Sequence, residues 1–210
     1  MYSLNVTHSI ISVFQSHLQS LNIYPGCQSV CCDSSGNHGQ ALSWAANQAG
    51  VVCHVAVPEG APAVKVAAIE SYKGNVHYCP SNDAGRVAKR DELERVYGAE
   101  MIHPSQDHRV IAGQGTIGLE LAEQLDELDC VIVPVGGGGL ISGIATALKS
   151  LKPGVKVIGA EPVAVDDCKQ SFDAQQLLVT QKKYTVCDGV RTNVGELVVT
   201  INGLLWPLLS

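Results

Sequence analysis

The sequence predicts an α/β chain built on open, mainly parallel β-sheet. Three observations carry that prediction. From residue 29 onward, short apolar runs of strand length alternate with segments of helix length. Glycine and proline stand at the junctions, where a helix must stop. Over 210 residues, 46% are apolar and 16% charged, with a mean hydropathy of +0.14, enough for a sizeable core. Strands separated by helices imply right-handed βαβ units and hence parallel pairing.

Taken in order, residues 29–32 and 51–57 read as buried strands. Between them, 39–49 is an Ala-rich helix that Gly50 ends. Residues 62–71 read as helix and 75–79 as extended chain, and 85–97 is a charged helix stopped by Gly98. A short strand follows at 100–103, then a helix at 115–125 with Leu119, Leu121, Ala122 and Leu125 on its apolar side. Residues 130–135 form a β-branched strand, 140–151 a helix stopped by Pro153 and Gly154, and 155–160 another strand. Residues 1–28 are polar and only patchily apolar, with one weak helix at 10–21, and 197–210 are short and apolar. No fixed-period repeat is present.

Composition excludes several functions. Fourteen basic against twenty acidic side chains give a net charge of −6 with no basic patch, which argues against nucleic acid. No apolar run reaches the ~18 residues of a membrane span. The eight cysteines have only one close pair, Cys31 and Cys32, unlike a zinc site, and several sit in strand-like runs as small hydrophobes. A reduced, cytoplasmic chain is expected. The start lacks a basic region followed by a clean apolar stretch, so no signal peptide is read and the Asn5-Val6-Thr7 sequon is taken as chance.

Three motifs can carry chemistry. Val133-Pro134-Val135 runs into Gly136, Gly137, Gly138 and Gly139 and then opens a helix at Leu140. Glycines allow close backbone approach, and their N–H groups with a helix N-terminus make an anion cradle. The spacing of this loop matches neither a dinucleotide fingerprint nor a P-loop. Ser34-Ser35-Gly36-Asn37-His38-Gly39-Gln40 lies at the end of a strand, where open α/β sheets bind ligands; by itself it reads equally as a helix cap. Glu161 to Asp167 follows a strand, and its carboxylates can gather a hard cation, although spacing alone favours a solvated acidic loop.

Together these stretches resemble the fold-type-II pyridoxal-phosphate enzymes, of the serine racemase and serine/threonine dehydratase group. Ser34 to Ala41, His103-Pro104, Val110 to Thr116, Val133 to Leu140, Ala160-Glu161-Pro162 and Asp188-Gly189-Val190 carry the likeness, in collinear order across about residues 29–193. Ser34-Ser35 with Asp166-Asp167 favour the racemase side. The resemblance implies a two-lobed fold of the tryptophan synthase β-like type and the cofactor pyridoxal 5'-phosphate. It implies that Ser35 is the acid/base on one face of the substrate, and that Asn37 bonds the cofactor's ring hydroxyl. Gly136, Gly137, Gly138 and Gly139 hold its phosphate, and Gly189 lies beside its ring. Ser34 and His38 hold the substrate carboxylate. Glu161, the Val165 carbonyl and Asp167 match a site for Mg²⁺, Ca²⁺ or Mn²⁺, and Gln40 and Tyr78 match positions that contact ATP as an effector. Ser105 stands where relatives often carry Asn.

One departure matters. The family carries its cofactor as a Schiff base on a lysine upstream of the Ser-Gly-Asn-His-Gly loop, yet the first lysine here is Lys65. The expected layout is therefore an N-terminal segment unlike the family at 1–28, a small lobe at 29–106, and a partial large lobe at 107–210 with apolar surface left open near 131–135 and 155–158. The implied function is a serine racemase with serine/threonine ammonia-lyase side activity, inactive as this chain for want of the lysine. The substrate is serine or threonine, and the complete relatives form homodimers. The alternative is a non-catalytic remnant that binds the cofactor, a phosphate or a full-length partner subunit.

Overall fold

The computed structural model describes residues 26–34, 36–179 and 184–196. The chain divides into two compact units, Met1–Pro104 and Ser105–Ser210.

In the first unit, strands β1 (Ser29–Cys32), β2 (Val52–Pro58), β3 (Asn75–Cys79) and β4 (Glu100–Met101) form a parallel sheet in the order β3-β2-β1-β4. Helices α1 (Asn37–Ala49), α2 (Ala63–Ser71) and α3 (Asp83–Tyr97) connect them. Val30, Cys31 and Cys32 are fully buried, because β1 lies inside the sheet and both of its faces are covered. Cys31 and Ala56 pack with Leu93 and Ala99 on the α3 side. Cys53 points to the other face, where the Ser43 hydroxyl of α1 donates to its sulfur. Gly50 ends α1 in the left-handed conformation, φ +69°, with its N–H on the carbonyls of Ala46 and Asn47. Asn82 caps α3 by accepting the Gly85 N–H at 2.7 Å, so that helix starts two residues earlier than its apolar pattern indicates.

In the second unit, α4 (His108–Gln124) precedes β5 (Cys130–Pro134), α5 (Gly139–Leu151), β6 (Lys156–Ala160) and α6 (Asp167–Ala174). β5 and β6 pair in parallel. Leu121, Val133, Val135, Ile141, Ile144, Leu148, Val155 and Val157 form its core. The expected exposure of this sheet holds for one face only: Ile132 is 66% and Ile158 44% exposed, while Val133 and Val157 are buried against the helices. The alternation of strand side chains makes that division.

Two expectations are corrected. Helix α4 begins at His108, seven residues before the expected start, with Asp107 accepting the Arg109 N–H at 2.8 Å. Glycines 113, 115 and 118 lie within it, where packing overrides their low helix propensity. The acidic stretch is no solvated loop: Val163–Val165 forms a 3-10 turn and Asp167 opens α6 at 3% exposure. All eight cysteines are free, and no described helix is long and apolar enough to cross a membrane.

Candidate active site

In the first unit the candidate residues gather on the turn from β1 into α1. Ser34 Oγ accepts the Gly36 N–H at 3.4 Å, which tightens the turn. Gly39 is obligatory there: a Cβ would collide with the Ser34 carbonyl and lie 3.2 Å from Val55 Cγ1. His38 Nε2 lies 2.8 Å from the Ile102 carbonyl, so that ring nitrogen carries the proton and ties α1 to the chain after β4. Arg86 of α3 reaches the same turn, donating to the Asp33 carbonyl at 3.1 Å and standing 3.5 Å from its carboxylate. Asn37 is exposed at the helix start and Gln40 is half-buried. Tyr78, on β3, is 56% exposed. Ser35, the expected acid/base, lies outside the described residues.

In the second unit the glycine loop sits where β5 gives way to α5. Val135 N–H still bonds the Ala160 carbonyl at 3.0 Å, and Gly138 takes φ +85°, a conformation that favours glycine. The first turn of α5 is fixed by Ser142, whose N–H and hydroxyl both donate to the Gly138 carbonyl, at 3.1 and 2.9 Å. The N–H groups ahead of Ser142 have no carbonyl four residues back, so they remain for an anion, and the helix dipole favours negative charge. A Cβ on Gly136 would lie 3.0 Å from Val190 Cα, and one on Gly137 would lie 2.5 Å from Ser105 Oγ. The same built Cβ atoms approach Thr192 Oγ1 at 3.1 and 3.7 Å. Two hydroxyls, Ser105 and Thr192, thus border a loop that admits no side chain of its own. These residues fit a phosphate group. Sequence reasoning did not single out Thr192; a Thr after Asp188-Gly189-Val190 gave no local signal.

Gly189 is brought to the loop by the segment 184–196: its carbonyl lies 3.3 Å from the built Gly136 Cβ. That segment is braced by one contact within itself and tied to α6 by another, and the Gly195 N–H donates to the Gly137 carbonyl at 3.3 Å. Arg191 donates to the Thr185 carbonyl through Nη2 at 2.7 Å and Nε at 3.2 Å. Asp167 Oδ2 accepts the Val194 N–H at 2.6 Å. Glu161 accepts the N–H groups of Cys168 and Lys169 at 3.1 and 2.8 Å, capping α6. Burial, then neighbouring acidic charge, pushes the carboxyls of Glu161 and Asp167 above the usual range, against the pull of those amide bonds. Among the described residues no Lys or Arg is paired with Glu161, Asp166 or Asp167, and no three His, Cys, Asp or Glu side chains gather around one point. Two carboxylates with spare lone pairs and the Val165 carbonyl are what the turn offers a hard cation.

Among the described residues of this unit, no lysine stands at the glycine loop. Lys149 and Lys152 lie at the far end of α5, roughly 15 Å along its axis. Lys152 donates to the Leu125 carbonyl at 2.6 Å. Lys156 begins β6, at the opposite end of the strand from Ala160. Lys169 pairs with Asp173 at 2.6 Å.

A parallel α/β architecture with a strand-to-helix glycine loop shaped for phosphate defines a class of cofactor-dependent enzyme. The chain belongs to the pyridoxal-phosphate dependent enzyme family, whose model matches residues 10–204, a longer span than the motifs mark out. Its fold is of the fold-type-II, tryptophan synthase β-like kind. It is 45% identical over 187 residues to the serine racemase of Homo sapiens, covering 87% of this chain and 52% of that one. It superposes on the crystal structure of serine racemase from Dictyostelium discoideum with a TM-score of 0.83 at 41% identity, covering 92% of this chain and 62% of that one. The crystal structure of the T.th. threonine deaminase gives a TM-score of 0.84 at 36% identity, covering 92% and 63%. The chain spans about half the length of the curated relatives it matches.

Proposed function

We propose that this chain carries much of the binding apparatus of a pyridoxal-phosphate-dependent serine racemase with serine/threonine ammonia-lyase side activity, and that the 210-residue chain alone is inactive. The reading rests on the glycine loop of residues 136–139, bordered by the Ser105 and Thr192 hydroxyls, in a chain 45% identical to a serine racemase. The cofactor, when bound, supplies an electron sink for the carbanion formed at the substrate's Cα.

The loop's N–H groups and the start of α5 bind the phosphate. Asn37, exposed at the head of α1, bonds the ring hydroxyl, and Gly189 leaves room beside the ring. Ser34 and His38, both held in the β1–α1 turn, orient the substrate carboxylate. Ser35 holds or takes the α-proton on one face. Racemisation needs a second acid/base on the other face. The lysine that would serve there is absent from the sequence ahead of Lys65 and from the described surroundings of the glycine loop. Glu161, Asp167 and the Val165 carbonyl hold Mg²⁺, Ca²⁺ or Mn²⁺, which offsets the charge of the half-buried Glu161 and the buried Asp167. Gln40 and the exposed ring of Tyr78 meet ATP as an effector. A complete homodimer located in the cytoplasm is the setting we assign to the activity.

Two experiments test this. The purified chain is titrated with pyridoxal phosphate and assayed with L- and D-serine. Saturable binding that Gly137→Ala weakens, with no turnover above free cofactor, supports the reading. Stereospecific turnover overturns the inactivity, and absence of any binding overturns the cradle. Added Mg²⁺ or Ca²⁺ should raise the melting temperature by mass action, and Glu161→Gln should reduce that rise. An equal rise in both proteins removes the cation site.

A further inference from the structure

In the first unit, away from the β1–α1 turn, two histidines meet between the sheet and α3. His54 on β2 and His77 on β3 are separated by 23 positions in sequence, yet His54 Nδ1 and His77 Nε2 lie 2.9 Å apart. His54 is only 6% exposed and stacks on the Tyr97 ring of α3, with centroids 4.0 Å apart and planes at 19°. His77 is tilted against the same ring at 5.5 Å. A nitrogen pair at that distance shares one proton: one ring donates and the other accepts. Two nitrogens with no third ligand do not make a metal centre, and none of the residues assigned to the cofactor touches them.

We propose that the His54–His77 pair is an acid-sensitive latch that holds α3 against the β2–β3 edge of the sheet. The groups around it leave an added proton uncompensated. From α3, Lys89 and Glu92 bear on His77, but they already form an ion pair with each other at 2.7 Å. Arg90 and Glu94 bear on Cys31, the residue of β1 in register with His54, and stand 3.9 Å from one another. From β3, Asn75 faces His54 in register, and its amide donates to the Cys53 carbonyl. Tyr97 contributes only its ring face. One extra proton therefore places a cation between β2, β3 and α3 with no unengaged carboxylate beside it. A second sets two N–H groups against each other across 2.9 Å, and the stack on Tyr97 parts.

The sign follows from which state binds the proton. Burial first, and then the partner imidazole for His54 and Lys89 for His77, against the opposing pull of Glu92, holds both imidazoles below the ordinary histidine value. The unfolded chain, with ordinary histidines near ~6.5, takes up protons first on acidification. The latch's contribution is complete above that value and is lost as pH falls through it. Each histidine kept neutral in the fold costs about tenfold in the folding equilibrium constant between pH 7.5 and 5.5.

The test compares urea unfolding of the full chain at pH 7.5 and 5.5 with that of His77→Leu and of His54→Phe, which keeps an aromatic ring on Tyr97. The wild type should lose about tenfold more of its folding constant than either variant over that interval. Equal losses overturn the latch. Should both variants fail to fold, the ring-nitrogen resonances of the wild type decide. Two rings titrating together below the ordinary histidine range support the pair, and two independent titrations at the ordinary value overturn it.

Discussion

Two glycine-rich stretches of the second unit put the same residue to opposite uses. Gly136, Gly137 and Gly138 follow a strand and precede a helix, and the missing side chains of the first two keep a space open that the Ser105 and Thr192 hydroxyls border. Gly113, Gly115 and Gly118 lie inside α4, and two of them let that helix close on α5. A Cβ on Gly115 would come within 3.2 Å of the Gly143 carbonyl, and one on Gly118 within 2.9 Å of both Ala147 Cβ and the Ile144 carbonyl. Gly143 answers from α5: a Cβ there would collide with the Ile111 carbonyl and stand 2.6 Å from Gly115 N. The run Gly113-Gln114-Gly115-Thr116-Ile117-Gly118 even has the spacing of a dinucleotide fingerprint. Buried in mid-helix, it binds no phosphate, because its N–H groups are spent on the helix. Spacing of glycines identifies a ligand loop only when a strand end and a helix start flank it.

Substitutions can break this contrast, beginning with the largest effect. Gly143→Val forces a branched side chain onto the backbone of α4, which cannot rotate away. A loss of about 3 kcal/mol, enough to unfold a marginal chain, is expected in urea titration. Gly118→Ala should cost about 1–2 kcal/mol, and Ala147→Gly in the same chain should return part of it, since the two sites touch. Full additivity of that pair would show that the helices do not meet there. Gly137→Ala meets the Ser105 hydroxyl, which can turn aside, and the Ser105 Cβ at 2.9 Å, which cannot, so about 1–2 kcal/mol of stability is expected to be lost. Its affinity for pyridoxal phosphate should fall about tenfold or more by fluorescence titration. Gly154→Ala, with nothing within 4 Å of the new Cβ, should change stability by less than about 0.5 kcal/mol. A larger effect would mean that backbone freedom, and not contact, governs these glycines.

The strand–helix order was legible because hydrophobic runs and glycine stops are local signals. Val133 to Leu140 announced a loop, and the structure shows that loop at the head of α5. The start of α4 was not legible: three glycines argue against a helix on propensity alone, and only contact with α5 outweighs that preference. Asp167 looked like surface from its acidic neighbours, yet it is buried with its carboxylate on Val194 N–H, 27 positions away. Ile132 and Val133 look alike in sequence, but one is 66% exposed and the other buried, because alternate strand residues face opposite sides of the sheet.

By itself the sequence determined the α/β class, the succession of strands and helices, and the place of the glycine loop between a strand and a helix. Each depends on neighbours along the chain, on residues whose conformational preferences act within a few positions. Only the tertiary structure decided which glycines serve packing, which carboxylates lose their water, and that His54 meets His77. Those depend on strand register and crossover, which bring distant residues together, and no local preference encodes the distance between two side chains on neighbouring strands.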